Sequence, residues 1–199
     1  MPYSPQHKQN SRRRILESAY RLFVTRGYAL TSIDEVMQAA QLTRGAFYAH
    51  FDSKQALYRD AIRHAAENSY LASDKPGGVD DAQWLLGLLD LYLSEAHVRL
   101  EGRPCPLASL ISDMSVREPG IRDVYTDTFK GFNRYLNRYL GQEEALNRTS
   151  LAVSAMMIGG VAIARAIRDE ALSRELLTSC RQMAGELLEA SQAEDIPGA

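Results

Sequence analysis

The sequence has few cysteines and no long apolar run, and both features narrow the possible classes of protein. Only Cys105 and Cys180 occur among 199 residues, so a secreted framework of several disulfides is excluded. The longest uncharged stretch, 149–164, has 16 residues, fewer than the roughly 20 that a helix needs to cross a bilayer. The N-terminus lacks the apolar segment of a signal peptide. We therefore expect a cytoplasmic protein that has no membrane partner.

The sequence also lacks the motifs of the common enzyme and metal-binding classes. Zinc-protease, nucleophile-elbow, phosphate-loop and dinucleotide patterns are absent. The four histidines, His7, His50, His64 and His97, are scattered without metal-ligand spacing. We predict that the protein is not an enzyme and uses no metal and no cofactor. A helical protein that binds only other proteins is the remaining alternative, and it would leave a basic N-terminal region unexplained.

Positive charge is scarce in the chain as a whole but concentrated at one end. The net charge is −2, yet residues 1–64 carry 10 Lys and Arg against 5 Asp and Glu, a net of +5 that leaves −7 for residues 65–199. This asymmetry indicates a basic nucleic-acid module joined to a domain with other duties. A random fluctuation of surface charge is the alternative. We expect residues 1–14 to form a mobile basic arm.

The segment 31–57 has the pattern of a helix-turn-helix, with two short helices joined by a tight turn and followed by a third. Ser32, with a glutamate three residues later, predicts a capping box at the start of the first helix. Thr43 is suited to cap the second helix, whose buried stripe is Phe47 and Phe51 at i and i+4. The opposite face of that helix is free to contact DNA.

Two cations in this segment lie where an isolated helix disfavours them. Arg44 and Lys54 both fall in the first turn of a predicted helix, where the macrodipole repels cations by a few tenths of a kcal/mol up to about 1 kcal/mol. Phosphates bound at these helix starts would reverse the sign of the interaction. Each cation taken alone is as well explained as an ordinary solvated charge. Together with the turn, the two favour DNA.

The segments ILESAYRLFVTRGY and TSIDEVMQAAQLTRGAFYAHFDSKQALY resemble the N-terminal signature of the TetR family of bacterial transcription regulators. The ordered positions that carry the resemblance are Gly27-Tyr28, Thr31-Ser32, Gly45-Ala46-Phe47-Tyr48, Phe51 and Ser53-Lys54. The C-terminal two thirds of the chain match only in their pattern of helices. The resemblance implies an all-α, nine-helix fold, with a DNA-binding domain at 9–69 and a helical ligand-binding and dimerisation domain at 70–199.

The same resemblance implies a ligand-responsive regulator that binds a double-stranded DNA operator as a homodimer. A repressor released from a palindromic operator by an unknown small-molecule inducer is the expected form, and an activator is the alternative. Two recognition helices about 34 Å apart would meet successive major grooves on one side of the duplex.

The predicted DNA contacts divide into base readers and phosphate binders. Arg44 is the candidate for a bidentate contact with guanine, and Gly45 allows close approach. Thr43 and Tyr48 are expected to touch base edges or phosphates, although Tyr48 is alternatively packed partly against the fold. Contacts with backbone phosphates, which fix position without reading sequence, are predicted for Arg12, Arg13, Arg14, Thr31, Ser32, His50 and Lys54.

Helical periodicity and Gly or Pro breaks predict the remaining helices. Beside the helix-turn-helix, their expected ranges are 11–26, 54–71, 80–100, 107–116, 119–140, 144–168 and 173–190. The eighth, 144–168, contains Gly159 and Gly160, which together forfeit roughly 2 kcal/mol of helix propensity relative to Ala. The resemblance implies that helices eight and nine form the homodimer interface. Alternatively, both glycines admit core side chains within one subunit.

The resemblance also implies an inducer pocket walled by helices five to eight. Apolar stripes at helical spacing are more often plain core, but His97 and Arg165 are polar groups near apolar surface that could orient a ligand. The candidate lining residues are Trp84, Leu88, Tyr92, His97, Cys105, Met114, Tyr125, Phe129, Phe132, Met156 and Arg165.

Cys105 lies in a stiff loop between two prolines and next but one to Arg103, just before a predicted helix. Both the helix start and the cation are expected to lower the pKa of the thiol. A redox or electrophile trigger at Cys105 is therefore one hypothesis, and a small buried side chain at the helix entrance is the other. Cys180 is expected to pack in the dimer interface.

Overall fold

The computed structural model describes residues 5–69, 75–102, 104–141 and 147–194, and every regular element within these ranges is an α-helix. The helices are α1 (Pro5–Leu30), α2 (Ile33–Ala39), α3 (Arg44–Phe47), α4 (Lys54–Glu67), α5 (Asp81–Tyr92), α6 (Glu95–Val98), α7 (Pro106–Met114), α8 (Pro119–Tyr139), α9 (Arg148–Ala166) and α10 (Glu170–Glu194). The all-α prediction is confirmed, with one helix more than the expected nine.

The helix-turn-helix forms largely as its local signals predict. The Glu35 amide donates to Ser32 Oγ at 3.2 Å, and the Ser32 amide donates to Glu35 Oε2 at 2.8 Å, which completes the capping box. The helix α3 is short, but the Phe51 amide still donates to the Phe47 carbonyl at 3.0 Å. Both rings are buried. Thr43 occupies the N-cap position without a side-chain cap bond, so its predicted capping role is wrong.

The first helix differs from its predicted range at both ends. It starts at Pro5, a residue whose fixed φ and missing N–H suit a first helical turn, so residues 5–14 are helical and not a mobile arm. Residues 1–4 of the predicted arm lie outside the described residues. At Gly27 the chain adopts φ 80° and ψ 163°, which kinks the helix. The helix was predicted to end at Gly27. At this residue it changes direction sharply and then continues for about one turn to Leu30.

The predicted fifth helix is two helices, which accounts for the additional element. The helix α5 ends at Tyr92, with Leu93 as its C-cap, and Ser94 Oγ accepts a hydrogen bond from the His97 amide at 3.2 Å to cap α6. A serine within an apolar pattern offers the backbone this alternative to a continuous helix. The predicted starts and ends at 71 and 144 lie outside the described residues, as does Arg103. The last helix begins one turn earlier than predicted, because Asp169 Oδ1 accepts from the Ala171 and Leu172 amides.

Two clusters of buried side chains form the core. The C-terminal cluster joins α5 and α7–α10 with residues of the connections beside them. The N-terminal cluster joins α1–α4, but it also contains Leu110 and Met114 of α7 and Ile121 and Val124 of α8. The core under the helix-turn-helix is therefore completed by the rest of the chain. The division into domains at 69/70 stays a prediction.

The helix α9 is, among the described residues, the one helix long and apolar enough to span a membrane by length and composition. Within the fold its Val153, Met157 and Val161 side chains are fully buried, and it packs mainly against α10. A Cβ atom at Gly160 would lie 3.1 Å from both Cys180 Sγ and Leu93 Cδ2. Gly160 thus admits close packing within one chain, whereas nothing lies within 4 Å of a Cβ at Gly159.

The contrast between these glycines predicts opposite effects of adding a methyl group. Gly160→Ala is expected to lower the free energy of unfolding by about 1–3 kcal/mol, because overpacking against Leu93 and Cys180 outweighs the gain in helix propensity. Gly159→Ala is the matched control and is expected not to destabilise. Urea unfolding of both variants measures the difference, and equal stability of the two would contradict the packing described.

Candidate nucleic-acid interface

The outward face of α3 carries the predicted base readers. Thr43, Arg44 and Gly45 are exposed, while Phe47 beneath them has no exposed surface. The Tyr48 side chain is 61% exposed, and its ring meets the Phe47 ring edge-on at a centroid distance of 5.2 Å. The Tyr48 ring therefore rests on the core without being covered by it. An exposed helix with outward polar side chains is an element that the major groove of DNA admits.

Arg44 has a partner that was missed from the sequence. Its Nη1 atom donates to Asp34 Oδ2 at 2.6 Å, and both side chains are largely exposed. An exposed pair of this kind contributes about 0–1 kcal/mol to stability. The pair holds the guanidinium beside the first turn of α2, and the remaining N–H groups of Arg44 stay available to another acceptor. DNA would compete with Asp34 for this side chain.

The start of α4 presents a second cation beside the same surface. Ser53 caps the helix by accepting from the Ala56 amide at 3.0 Å, as predicted for its N-terminus. Lys54 Nζ lies 4.3 Å from the centroid of the Tyr28 ring, which stabilises the ammonium through a cation–π contact. Burial, and next the charge of Arg117, lower the pKa of Lys54.

Several side chains predicted to contact phosphates also have partners within the fold. The Thr31 side chain is buried, and its hydroxyl donates to the Gly27 carbonyl at 2.8 Å. Arg14 Nη2 donates to the Ala40 carbonyl at the end of α2. Arg12 pairs with Asp60 and lies over the Phe51 ring. These side chains position α1, α2 and α4 relative to one another.

Arg13 is exposed and makes no ion pair or hydrogen bond with any residue that the structure describes. Ser32 is also exposed, with its hydroxyl donating to Glu35 Oε2 at 2.8 Å. His50 is half-buried, and its Nδ1 atom has no hydrogen-bond partner among the described residues. Burial, followed by the charges of Lys8 and Arg12, lowers the pKa of His50. A phosphate beside His50 would oppose that shift.

The predicted ligand-orienting groups His97 and Arg165 are satisfied inside the fold. His97 Nε2 accepts from the Cys105 amide at 3.1 Å, so its Nδ1 donates to the Tyr92 carbonyl at 2.7 Å. Arg165 donates to the His97 and Val98 carbonyls at 3.0 and 3.1 Å. Burial lowers the pKa of His97, which favours this neutral tautomer. Both side chains brace the connection from α6 to α7.

The Cys105 thiol is 4% exposed and lies beside the Tyr92 hydroxyl. Burial raises the pKa of Cys105, and this effect outweighs the opposing influence of the nearby Tyr92 hydroxyl, of the Leu107 and Ala108 amides and of the charge of Arg165. The expected lowering of the pKa is therefore wrong, because the loop is not open to solvent. The cation invoked for it, Arg103, lies outside the described residues.

These surroundings predict a protected thiol at position 105. In the Cys180→Ser variant, the remaining Cys105 should react with a disulfide reagent such as DTNB at least tenfold more slowly in the native than in the denatured protein, because a buried, protonated thiol is a poor nucleophile. Stopped-flow absorbance gives both rates. Equal rates would show that Cys105 is open to reagents and would restore the sensor hypothesis.

The other predicted ligand residues are divided between the two clusters. Leu88, Tyr92, Phe132 and the partly buried Trp84, Phe129 and Met156 belong to the C-terminal cluster, whereas Met114 lies in the N-terminal cluster. Tyr125 packs between the two, and its hydroxyl donates to the Leu107 carbonyl at 2.7 Å. Their binding role stays a prediction.

Two cavities are relevant to a small ligand. A slot of about 250 Å³ lies between the end of α4, the start of α7 and α8, and it includes Cys105 and Phe132. A wider groove of about 580 Å³ lies between α1, α4 and the connection from α6 to α7. Within the described ranges, no three His, Cys, Asp or Glu side chains form a group that could hold a metal ion.

Comparison with known proteins connects the helix-turn-helix to a family. The model of the family "Bacterial regulatory proteins, tetR family" matches residues 15–61. By this match, the N-terminal part of the chain is that of a TetR-family transcriptional regulator. The transcriptional regulator AcrR of Shigella flexneri is 44% identical over 55 residues, covering 28% of this chain and 26% of AcrR. The regulator LmrA of Bacillus subtilis is 23% identical over 159 residues, covering 76% of this chain and 85% of LmrA.

The rest of the chain shares the fold of this family more than its sequence. The crystal structure of a TetR-family regulator from Cytophaga hutchinsonii has a TM-score of 0.77 at 18% identity, covering 96% of this chain and 98% of that one. Three curated regulators, including AcrR, are matched over only 18–26% of their own length. Sequence identity with these three is thus confined to a short part of each protein.

Proposed function

We propose that this TetR-family chain is a cytoplasmic, ligand-responsive transcriptional repressor that binds a palindromic DNA operator as a homodimer and leaves it when a small-molecule inducer binds. The observation that carries the proposal is the exposed face of α3, with Arg44 and Tyr48 projecting from a support of buried Phe47. The matches to TetR-family regulators support DNA binding and transcriptional regulation in general.

In the proposed complex, α3 enters the major groove. Arg44 exchanges Asp34 for the acceptor edge of a guanine, which offers two acceptors where Asp34 engages one nitrogen. Lys54, Ser32, Arg13 and His50 then meet phosphates of the adjoining backbone, and this fixes the position of α3 in the groove. Arg12, Arg14 and Thr31 contribute by holding the helices in place and not by touching DNA.

Dimerisation is supported by an apolar surface along α9 and α10. Ile163 is 53% exposed and Met183 is 51% exposed, and Leu151, Leu172 and Leu187 are also exposed on these two helices. A cluster of large exposed apolar side chains is a common mark of a protein interface. The open space at Gly159 lies on the same helix as Ile163. Two copies packed through these helices would form a four-helix interface and hold two α3 helices at a fixed distance.

The structure offers one connection by which a ligand in the C-terminal part would act on the proposed DNA-binding part. The Tyr58 hydroxyl of α4 donates to Asp113 Oδ2 of α7 at 2.6 Å. Asp113 also pairs with Arg117, whose guanidinium lies 4.8 Å from the centroid of the Tyr28 ring. A ligand that favours a different position of α7 or α4 would thereby change the spacing of the two α3 helices and lower DNA affinity by linkage.

The base-reading role of Arg44 is tested by fluorescence anisotropy with labelled DNA from upstream of the gene, at two salt concentrations. Arg44→Ala is expected to weaken operator binding by about 1–3 kcal/mol and to reduce discrimination against random DNA. Arg122→Ala removes an exposed cation from α8 and serves as the control. Equal losses by Arg44→Ala on both DNAs would make Arg44 a phosphate contact, and no discrete complex with the wild-type protein would contradict the proposed function.

The dimer surface is tested by placing a charge within it. Met183→Glu is expected to shift the sedimentation coefficient from dimer to monomer and to weaken operator binding, because the carboxylate would have to be desolvated at the interface. Val116→Glu adds the same charge at an exposed apolar residue at the end of α7 and should leave the dimer intact. An unchanged dimer in Met183→Glu would place the interface elsewhere.

A further inference from the structure

The slot between α4, α7 and α8 has walls of mainly apolar side chains. Phe132 and Tyr135 supply aromatic surface from α8, Pro106 and Leu107 come from α7, and Ala66 comes from the end of α4. The slot is partly open to solvent, and the buried residue Cys105 is among those that line it. A cavity of this shape buries most of a small flat molecule while leaving one edge of it in water.

The polar groups in the walls already have hydrogen-bond partners. Ser69 Oγ donates to the Ala66 carbonyl at 2.8 Å, and Thr128 Oγ1 donates to the Val124 carbonyl at 2.8 Å. The Tyr135 hydroxyl accepts from Trp84 Nε1 at 2.9 Å. Among the lining residues that the structure describes, Glu67 is the only ionisable side chain besides Cys105 and Tyr135, and it is exposed. The walls therefore offer contact area and no cation for an anionic group.

Gly131 lines the slot without a side chain of its own. It lies in the interior of α8, where glycine is an unfavourable choice for a helix. A Cβ atom there would meet only Arg134 Nη2, at 3.8 Å, so no close packing requires a glycine. A larger side chain at this position would extend into the space that the slot occupies. The absence of a side chain at Gly131 thus leaves space in the slot, whereas the packing of α8 against its neighbours does not depend on it.

We propose that this slot binds one uncharged aromatic or similarly flat apolar molecule of one or two rings. This molecule is the inducer of the repressor, a role that rests on the function proposed above. The size follows from the volume, because an apolar cavity of about 150 Å³ holds benzene and the slot measures about 250 Å³. Ala66 in the wall belongs to the last turn of α4, the helix that begins at Lys54. An occupant of the slot therefore contacts the helix that connects it to the proposed DNA-binding surface.

The wider groove between α1 and α4 has a different chemistry. Its lining includes the charged or ionisable side chains Glu17, Arg21, His64 and Arg99. A ligand with an anionic group would favour the groove, and a neutral aromatic ligand would favour the slot. Two probes of the same ring system but different charge, 2-naphthol and 2-naphthoate, therefore distinguish the two cavities.

The test measures binding of both probes to the full-length protein without DNA, by fluorescence titration at pH 7. Wild-type protein is expected to bind 2-naphthol at least tenfold more tightly than 2-naphthoate. Gly131→Leu, which fills the slot, should weaken 2-naphthol binding at least tenfold. Gly87→Leu is the matched control, since Gly87 is an exposed helix-interior glycine of α5 with nothing within 4 Å of its Cβ, and it should bind 2-naphthol as the wild type does.

Circular dichroism establishes that each variant is folded, and Ala66→Leu fills the slot from the opposite wall should Gly131→Leu not fold. Undiminished 2-naphthol binding by a folded slot-filling variant would overturn the assignment, as would tighter binding of 2-naphthoate or no binding of 2-naphthol. Operator release by 2-naphthol is measured separately. Binding of 2-naphthol by a protein that forms no operator complex would refute the proposed function but leave the slot assignment in place.

Discussion

The packing of α7 and α8 against the N-terminal helices is the contact on which the rest of the structure depends. Leu110 and Met114 of α7, and Ile121 and Val124 of α8, are buried in the same cluster as the side chains beneath the helix-turn-helix. Each buried side chain of this size contributes about 1.5–3 kcal/mol relative to exposure. The N-terminal helices alone cannot cover this apolar surface, so their arrangement is set by the body of the protein.

This shared core gives the proposed regulator its mechanical link. The helix α3 has only four residues and cannot hold its own orientation, which comes from Phe47 and Phe51 in the N-terminal cluster. The polar contacts of Asp113 with Tyr58 and Arg117 lie on the same boundary. A displacement of α7 or α8 therefore changes the positions of Arg44 and of the start of α4. No separate signalling element is needed.

Local signals predicted the fold well wherever a cap or a fixed φ determines a helix end. Ser32 and Ser53 cap α2 and α4, and Pro119 starts α8, as expected. The extension of α1 to Pro5 was missed because residues 5–10 have no apolar stripe and are all exposed. The break at Ser94 was missed because the apolar pattern continues across it.

The sequence predicted that one face of α3 is exposed. It did not predict which residues the side chains of the candidate site contact within the fold. The Arg44–Asp34 pair and the burial of Thr31 arise from packing between separate helices, which no spacing in the sequence shows. The shift in the pKa of Cys105 was predicted in the wrong direction, because the residues beside it in the sequence show which charges are near but not how deeply the thiol is buried. The slot at Gly131 exists only once α4, α7 and α8 are assembled.

The most direct test of the shared core is urea unfolding of the isolated fragment 1–69, followed by circular dichroism. The account predicts a fragment with no cooperative transition, since the apolar surface covered by α7 and α8 is exposed in it. A cooperative transition with the stability of a native domain would contradict it and would show that the helix-turn-helix unit folds independently of the body.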